Sequence, residues 1–446
     1  MSSSIFMQWL FYFLLLCNVI IPMYVVMRYC VYRSGIIVDH IFLFSCGFVF
    51  YFILPFFLGI VDYYDIYFPW HSFFGPIKAD KLIAYMFCCL VFYISYISGT
   101  AFYEKIIKKN NLDSTKREYY FDKKLLNIPL LISAIAAVYF AFPLRDYFFS
   151  GHRMSPLFVE NGQFTAATIL LLSLAFMYST KVYEEHEGSC GFWRTILNQF
   201  SLVYLIFLIL LISLGGRLVL ISTVLMLLVF FSVYFHRIKI RSLLLIVFAI
   251  IMTSHLIMIL RIENFETLSF TQFYAPEDIA LRLFSENFNV SLSLLDFLSK
   301  YDFPLIRFPH TLLSSFVSII PSFIFPSKNL LIVLPHELGY EYVAPAGGVN
   351  SFISLMINFG ILGTVLFLFF FSFFLCWIKN KSTPLHQTMY IMISGWLAMS
   401  FFRAFEMTAV KMILEFSILV PITLTVLCSM INKMDIMRLK NTNLAK

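Results

Sequence analysis

Four arginines occupy positions where an apolar sequence has little use for a permanent charge. Each lies at or near the end of an apolar run: Arg217 in SLGGR, Arg261 in MILRIENF, Arg282 in ALRLFSEN and Arg403 in SFFRAFE. A guanidinium is costly beside hydrocarbon, whereas its planar donors suit phosphate oxygens. Any one of them is equally explained as a snorkelling anchor or as an ion-pair partner, for example of Glu263 or Glu406. The four together predict an anion site. A lipid-linked diphosphate is the anion expected at the membrane surface, where apolar runs of this kind would end.

Groups that transfer protons are concentrated in residues 334–350, LPHELGYEYVAPAGGVN. His336 and Glu337 are adjacent there, and a neutral imidazole is suited to take a proton from a hydroxyl group near pH 7. His310 and His255 are alternative candidates. A single histidine is, however, more commonly a hydrogen-bonded surface or packing residue. His336 or Glu337 is therefore the candidate general base.

The elements that position these residues are predicted to be membrane helices. The chain of 446 residues is 60% hydrophobic and 13% charged, whereas a soluble domain is about 25% charged, so a soluble globular protein is excluded. A helix needs roughly 20 apolar residues to cross a bilayer. This criterion predicts an all-α integral membrane protein with about eleven transmembrane helices, at residues 5–27, 36–60, 80–102, 125–144, 164–180, 195–214, 218–235, 242–260, 349–378, 386–402 and 408–432.

The chain divides into three predicted parts. Residues 1–260 carry transmembrane helices 1 to 8, residues 261–348 form one long loop, and residues 349–446 carry helices 9 to 11 and a tail. Connections between packed helices are usually a few residues long, and a loop of this length is usually functional. The loop is therefore expected to contribute to the site.

Two helices are predicted within that loop. Apolar residues recur at helical spacing from Leu281 to Leu295, which predicts a surface helix with Asp296 and Lys300 paired on its wet side. Residues 311–320 are apolar but lie between two prolines and are too few to cross a bilayer. They are predicted to form an interfacial helix along the membrane surface.

Lysine and arginine accumulate in alternate loops, which hold 20 of the 32 such residues. Because short cytoplasmic loops of membrane proteins collect basic residues, the C-terminus is predicted to be cytoplasmic. The N-terminus, the long loop and the four arginines are then on the opposite, outer face. This distribution assigns the net charge of +7 to membrane topology, so no nucleic-acid partner is expected.

Several cofactor signatures are absent from the sequence. It contains no P-loop, no dinucleotide-binding glycine motif and no His/Cys spacing typical of zinc. The acidic motif DYYD at 62–65 has the wrong spacing for the Asp-x-Asp pair that holds a metal and a nucleotide sugar. Carboxylates are scarce within the predicted spans, which argues against ion-coupled transport. No cofactor and no metal are predicted.

The second half of the chain resembles the oligosaccharide repeat-unit polymerases of bacterial surface polysaccharides, the Wzy-type family that includes O-antigen polymerases. The similar stretches are SLGGRLVLI, MILRIENF, ALRLFSEN, IIPSFIFPSK (319–328), HELGYEYVAPAGGVNSFISLMINFGILG (336–363) and FFRAFEMTAVK (401–411). The resemblance implies a multi-pass inner-membrane glycosyltransferase of lipopolysaccharide biosynthesis with a GT-C-like fold. It implies inverting, metal-independent transfer of a glycan from undecaprenyl diphosphate to the terminal sugar of a second lipid-linked repeat unit at the periplasmic face.

The same resemblance assigns roles to individual residues. Glu337 matches an acid in the outer loop of the family, and His336 beside it is matched less closely. Cations that hold diphosphate are implied at Arg217, Arg261, Arg282 and Arg403. Membrane lipid and a chain-length regulator are further partners that the family allows. Two alternatives stay open: an O-antigen ligase of the same fold, whose acceptor is the lipid A core, and a flippase for lipid-linked oligosaccharides.

Overall fold

The structure is a computed structural model, in which almost all of the described residues are helical. It describes residues 3–56, 79–107, 122–149, 158–186, 189–262, 276–302, 304–320, 324–342, 349–403, 406 and 408–444. Glu263, the DYYD motif and residues 343–348 of the loop motif lie outside the described residues.

The α-helices lie before, within and after the long loop. Those before the long loop are α1 (Ser3–Tyr29), α2 (His40–Phe48), α3 (Ala79–Phe102), α4 (Asn127–Ala141), α5 (Phe158–Glu185), α6 (Phe192–Ile196), α7 (Gln199–Ser213), α8 (Arg217–Phe230) and α9 (Ile240–Ile262). Those within and after it are α10 (Pro276–Lys300), α11 (His310–Ser315), α12 (Ser351–Lys379), α13 (Pro384–Leu397), α14 (Ser400–Arg403), a π-helix (Thr408–Leu419) and α15 (Val420–Leu444).

Seven helices in the described part of the chain are long and apolar enough to cross a membrane. They are Ile5–Tyr29, Asp80–Ile106, Lys123–Tyr147, Asn161–Glu185, Arg217–Phe235, Ser351–Lys379 and Thr408–Asn432. The chain is therefore an all-α, multi-pass membrane protein, which confirms the predicted class.

Four shorter apolar helices complete this set. They are His40–Phe56, Gln199–Ser213, Ile240–Thr253 and His310–Ile319. The first three coincide with predicted spans, and the fourth coincides with the predicted interfacial helix. The remaining predicted span, 386–402, is divided between α13 and α14. Eleven crossings and a GT-C-like arrangement stay predictions.

The described parts of the basic loops meet at one end of the bundle, here named the basic end. Tyr183 donates there to the carbonyl oxygen of Tyr234 at 2.9 Å, and Ser232 donates to that of Val38 at 2.8 Å. Lys123 forms an ion pair of 2.6 Å with Glu185, and Lys379 forms one of 2.6 Å with Asp39. A hairpin of two strands, β1 (Val31–Tyr32) and β2 (Gly35–Ile36), lies there too.

Arg237 joins this hairpin to the segment that precedes α9. Its guanidinium lies 3.9 Å from the ring centroid of Tyr32 and donates to Ser34 at 2.6 Å. Loops that are far apart in sequence are thus held together at the basic end.

The opposite end, here named the loop end, carries the described residues of the segment 301–342. Helices α8 and α13 run antiparallel. Gly395 approaches Ser222 in α8, whereas Tyr390, nearer the start of α13, bonds to His40. His40 lies beside Val38, which accepts the hydroxyl of Ser232 beyond the end of α8. The Lys81 ammonium at the start of α3 donates to the carbonyl oxygen of Leu298 in α10 at 3.2 Å. The start of α8, the end of α13 and the end of α10 are therefore at the loop end.

Aromatic side chains fill the core between these helices. The rings of Phe44 and Tyr96 stack with centroids 3.6 Å apart, and those of Phe52 and Phe352 stack at 4.5 Å. Trp396 is 1% exposed. Rings from α2, α3, α12 and α13 thus belong to one packed cluster, and van der Waals contact between them stabilises the association of the helices in lipid.

The sequence predicted a surface helix, whereas residues 290–298 in the described half of α10 are buried. The pair of Asp296 and Lys300 in α10 is present at 2.9 Å, but the Asp296 side chain is 6% exposed. Residues 290–298 are buried on every face of α10. Ser291 donates to the carbonyl oxygen of Tyr51, and Asn287 donates to that of Phe50 at 2.8 Å. Asn287 and Ser291 therefore bond α10 to the segment that follows α2 and do not face water.

Candidate functional site

Helix α12 is broken near the loop end. Gly360 has φ 72° and ψ −175°, a combination that only glycine adopts without strain. The helical hydrogen bonds are therefore interrupted after Phe359. Within a membrane such a break is tolerated only where protein or a polar cavity satisfies the freed backbone groups.

A segment of the long loop satisfies those groups. The amides of Ile361 and Leu362 donate to the carbonyl oxygens of Pro304 and Leu305 at 3.2 and 2.9 Å. In return the amide of Arg307 donates to the carbonyl oxygen of Phe359 at 3.1 Å. The loop is thus bonded into the broken helix.

Three polar side chains meet beside this break. Thr311 from α11 and Asn358 from the last turn before the break are 1% and 0% exposed. The Thr311 hydroxyl donates to Glu406 Oε1 at 2.7 Å, and Asn358 Nδ2 donates to the Thr311 oxygen at 2.7 Å. Asn358 Oδ1 in turn accepts the amide of Leu312 at 2.8 Å. We name Thr311, Asn358 and Glu406 the carboxyl cluster.

Burial governs the electrostatics of this cluster. Removal of water raises the pKa of Glu406, and the hydrogen bonds from Thr311 and Asn358 act against that rise. Burial also raises the pKa of the Tyr342 phenol, and the charge on Glu406 adds to this effect. A carboxyl group in such surroundings can hold or release a proton nearer to neutral pH than an exposed one.

Arg217 is positioned by a tight turn between α7 and α8. Gly215 has φ 88°, and its amide donates to the carbonyl oxygen of Ile212 at 2.8 Å. The amide of Gly216 donates to that of Leu211 at 2.9 Å. Gly215 therefore ends α7 in the left-handed conformation that commonly terminates helices, and Arg217 begins α8 at the loop end.

Arg403 reaches the same end from another part of the chain. It ends α14, directly after α13 has run antiparallel to α8 toward the loop end. The described hydrogen bonds of Glu406 come from Thr311 and Asn358 rather than from Arg403. The fold thus brings Arg217 and Arg403 to one end of the bundle, although they are far apart in sequence.

The other two predicted arginines are described only through their backbone. Arg261 lies in the last turn of α9 and Arg282 in the first half of α10. Their side chains, like that of His255, lie outside the described residues. Their assignment to a diphosphate site stays a prediction.

His336 and Glu337 lie in a short 3-10 helix, Pro335–Leu338, with both side chains exposed. Glu337 Oε2 accepts the amide of Leu334 at 3.1 Å, so this carboxylate caps its own helix. Their role as general base stays a prediction.

Tyr301 at the end of α10 holds the turn that follows. Its hydroxyl accepts the amide of Glu341 at 2.7 Å. The ring of Tyr340 packs against that of Tyr301 with centroids 5.2 Å apart, and the Arg307 guanidinium lies 5.0 Å from the Tyr340 ring centroid. Aromatic contacts therefore fix the part of the loop that carries His336 and Glu337.

Sequence reasoning missed two members of the carboxyl cluster. The apolar spacing does not single out Thr311 or Asn358, and the sequence indicates Glu406 only as an ion-pair partner of an arginine. Asn358 stands in the apolar run FISLMINFGILG, two residues before Gly360. An amide beside a glycine within an apolar run was the available signal, since a buried polar group needs a partner.

Comparison with known proteins adds no assignment, because no protein family, curated protein or solved structure matches this chain. The fold and the site together define a multi-pass helical membrane protein. A broken helix, a buried carboxyl cluster and at least two arginines lie at one end of its bundle.

Proposed function

We propose that this chain is a surface-polysaccharide polymerase, which joins undecaprenyl-diphosphate-linked repeat units as an inverting glycosyltransferase. The observation that carries the proposal is the arrival of Arg217 and Arg403, from separate parts of the sequence, at the end of the bundle that holds the carboxyl cluster. Guanidinium groups at the edge of a bilayer suit a lipid-linked diphosphate through paired, charge-assisted hydrogen bonds.

The predicted orientation of the chain across the membrane supports this assignment. Basic residues of alternate loops lie at the basic end, and such loops are normally cytoplasmic. With the basic end inside, the loop end faces the periplasm of the inner membrane. Lipid-linked repeat units would meet there after their export.

The chemistry needs few groups. The acceptor hydroxyl attacks the anomeric carbon of the donor, and the bond from that carbon to the diphosphate breaks. The diphosphate leaves with the bonding electrons, so stabilisation of its charge by arginine is the main catalytic task. One base must take the proton of the acceptor hydroxyl. The sequence nominates His336 and Glu337 for this step.

A deletion strain tests the proposal against its alternatives. Loss of a polymerase leaves lipopolysaccharide capped with a single repeat unit. Loss of an O-antigen ligase leaves bare core and stranded lipid-linked polymer, and loss of a flippase leaves single units on the cytoplasmic leaflet. Gel analysis of lipopolysaccharide and of extracted undecaprenyl-linked glycans separates the three results, and either of the last two would overturn the proposal.

A further inference from the structure

Within the described part of the chain, hydrogen bonds hold the Glu406 carboxyl through one of its two oxygens. Its Oε1 receives the Thr311 hydroxyl at 2.7 Å and lies 3.3 Å from Asn358 Nδ2. None of the described hydrogen bonds or ion pairs reaches Oε2. The side chain is partly exposed, whereas Thr311 and Asn358 are buried. The cluster therefore holds the carboxyl through Oε1, and no described hydrogen bond or ion pair occupies Oε2.

The cluster accommodates both protonation states without movement of its heavy atoms. When Glu406 is ionised, Asn358 Nδ2 donates to the Thr311 oxygen at 2.7 Å, and the Thr311 hydroxyl donates to Oε1 at 2.7 Å. When a proton is transferred to Oε2, Oε1 becomes the carbonyl oxygen of the acid and still accepts the Thr311 hydroxyl. The cluster therefore holds the acid and its conjugate base in the same geometry.

The position of the cluster is fixed by three separate elements. Thr311 comes from the loop helix α11, Asn358 from the turn before the Gly360 break, and Glu406 from the segment that follows α14. A group that transfers a proton must be held within about 0.5 Å of its working position by locked neighbours. Glu337, by contrast, is exposed and bonded to its own short helix.

We propose that Glu406 is the catalytic residue that takes the proton of the acceptor sugar hydroxyl, and that Thr311 and Asn358 are its positioning residues. As the hydroxyl oxygen bonds to the anomeric carbon, its proton passes to Oε2, and the diphosphate leaves with the electrons of the bond that breaks. Glu406 then returns the proton to water or to the released diphosphate. This inference rests on the proposed polymerase function.

Three charged or titratable groups in the described part of the chain adjoin Glu406 or its partner Thr311. Arg403 precedes it in the same segment, Tyr342 faces it from the loop, and His310 adjoins Thr311 in α11. Burial is the largest influence on the Glu406 carboxyl, ahead of the two hydrogen bonds. The fall of the polymerisation rate at low pH, the acidic limb of the rate profile, is therefore expected to follow protonation of Glu406.

The decisive variant is Glu406→Gln, assayed as the full chain in proteoliposomes. The substrate is the undecaprenyl-diphosphate-linked repeat unit extracted from the deletion strain. Loss of a general base lowers the rate by about 10²- to 10⁴-fold, so we expect a fall of at least about 100-fold in kcat with little change in the KM for donor. The matched control is Glu415→Gln, a partly exposed glutamate of the π-helix, which should retain the wild-type rate.

Thr311 supplies a second test that a structural role alone would not pass. Thr311→Val removes the donor that favours ionised Glu406, so the acidic limb of the rate profile should move to higher pH by about one unit. Thr311→Ser keeps the hydroxyl and should restore the wild-type profile. Thr168→Val is the control, because the Thr168 hydroxyl is also buried but bonds only within α5, to the carbonyl oxygen of Phe164 at 2.9 Å.

The outcomes separate this inference from the proposed function. Polymer formation by wild type and by Glu406→Gln at equal rates would overturn the role of Glu406 and leave the polymerase assignment standing. Wild-type protein that forms no polymer from this substrate would overturn both. An unshifted profile in Thr311→Val would remove Thr311 as a positioning residue.

Discussion

A Cβ atom placed on Gly360 would stand 2.6 Å from the carbonyl oxygen of Pro304. This closeness exists because the loop segment that contains Pro304 is bonded into the break of α12, with Ile361 donating to Pro304 at 3.2 Å. The break also sets Asn358 at the end of a helical turn, where its amide reaches Thr311. A membrane helix and a loop thus share one folded unit at the candidate site.

Replacement of Gly360 by alanine should disrupt that unit. The new Cβ would collide with the carbonyl oxygens of Pro304 and Leu305, and φ of 72° is unfavourable for any other residue. We expect a loss of about 3 kcal/mol in unfolding free energy from the combined strain and collision. Thermal unfolding in detergent measures this loss. Gly162→Ala is the control, because a Cβ there meets nothing within 4 Å and alanine favours the helix. Equal stability of the two variants would contradict the account.

Arg217 and Arg403 should each be required for polymer formation. Replacement of either by alanine removes a cation from the leaving diphosphate, and loss of one such electrostatic contact lowers kcat by about 10²- to 10³-fold. Replacement by lysine should restore little, because an ammonium lacks the paired donors of a guanidinium. Rates in proteoliposomes and lipopolysaccharide ladders in cells provide the measurements.

Arg145 is the matched control for these variants. It lies at the same end of the bundle, in the turn after α4, with its side chain 59% exposed and 3.6 Å from Asp146. Arg145→Ala should keep the wild-type ladder. A wild-type ladder from both Arg217→Ala and Arg403→Ala, with normal insertion, would count against the diphosphate site.

Variants of His336 and Glu337 test whether one of these residues or Glu406 is the general base. If Glu406 takes the proton, His336→Ala and Glu337→Ala should retain activity, with losses far below the roughly 10²- to 10⁴-fold that removal of a general base costs. Glu337→Ala should still loosen the Pro335–Leu338 turn, since it removes the acceptor for the Leu334 amide. Amide hydrogen exchange detects that change. A collapse of kcat in either variant would restore the original assignment.

Replacement of Lys379 should destabilise the protein more than replacement of its ion-pair partner Asp39. The Asp39 side chain is 2% exposed and the Lys379 side chain 27%, so a lysine left alone can reach water whereas an aspartate cannot. Lys379→Met should therefore lower the unfolding free energy by about 3 kcal/mol, and Asp39→Asn by less. The double variant should be more stable than Lys379→Met alone. Additive losses in denaturant unfolding would show that the two side chains are not coupled.

The sequence alone determined the class of this protein and the ends of most of its helices. Long apolar runs can satisfy their backbone polar groups in a membrane only as helices, so composition and run length suffice for that inference. The basic residues of alternate loops likewise indicated which ends of the helices lie together. Lys123, Arg237 and Lys379 are indeed gathered at one end.

Tertiary structure alone decided the surroundings of the polar residues. Apolar spacing in α10 is compatible with a surface helix, and only contacts with Phe50 and Tyr51 reveal that its polar face is buried. The meeting of Thr311, Asn358 and Glu406 depends on the break at Gly360 and on the path of a loop with no periodic signal of its own. Periodicity reports which face of an element is apolar, whereas partners distant in sequence are chosen by packing, and for that reason the carboxyl cluster emerged only from the folded chain.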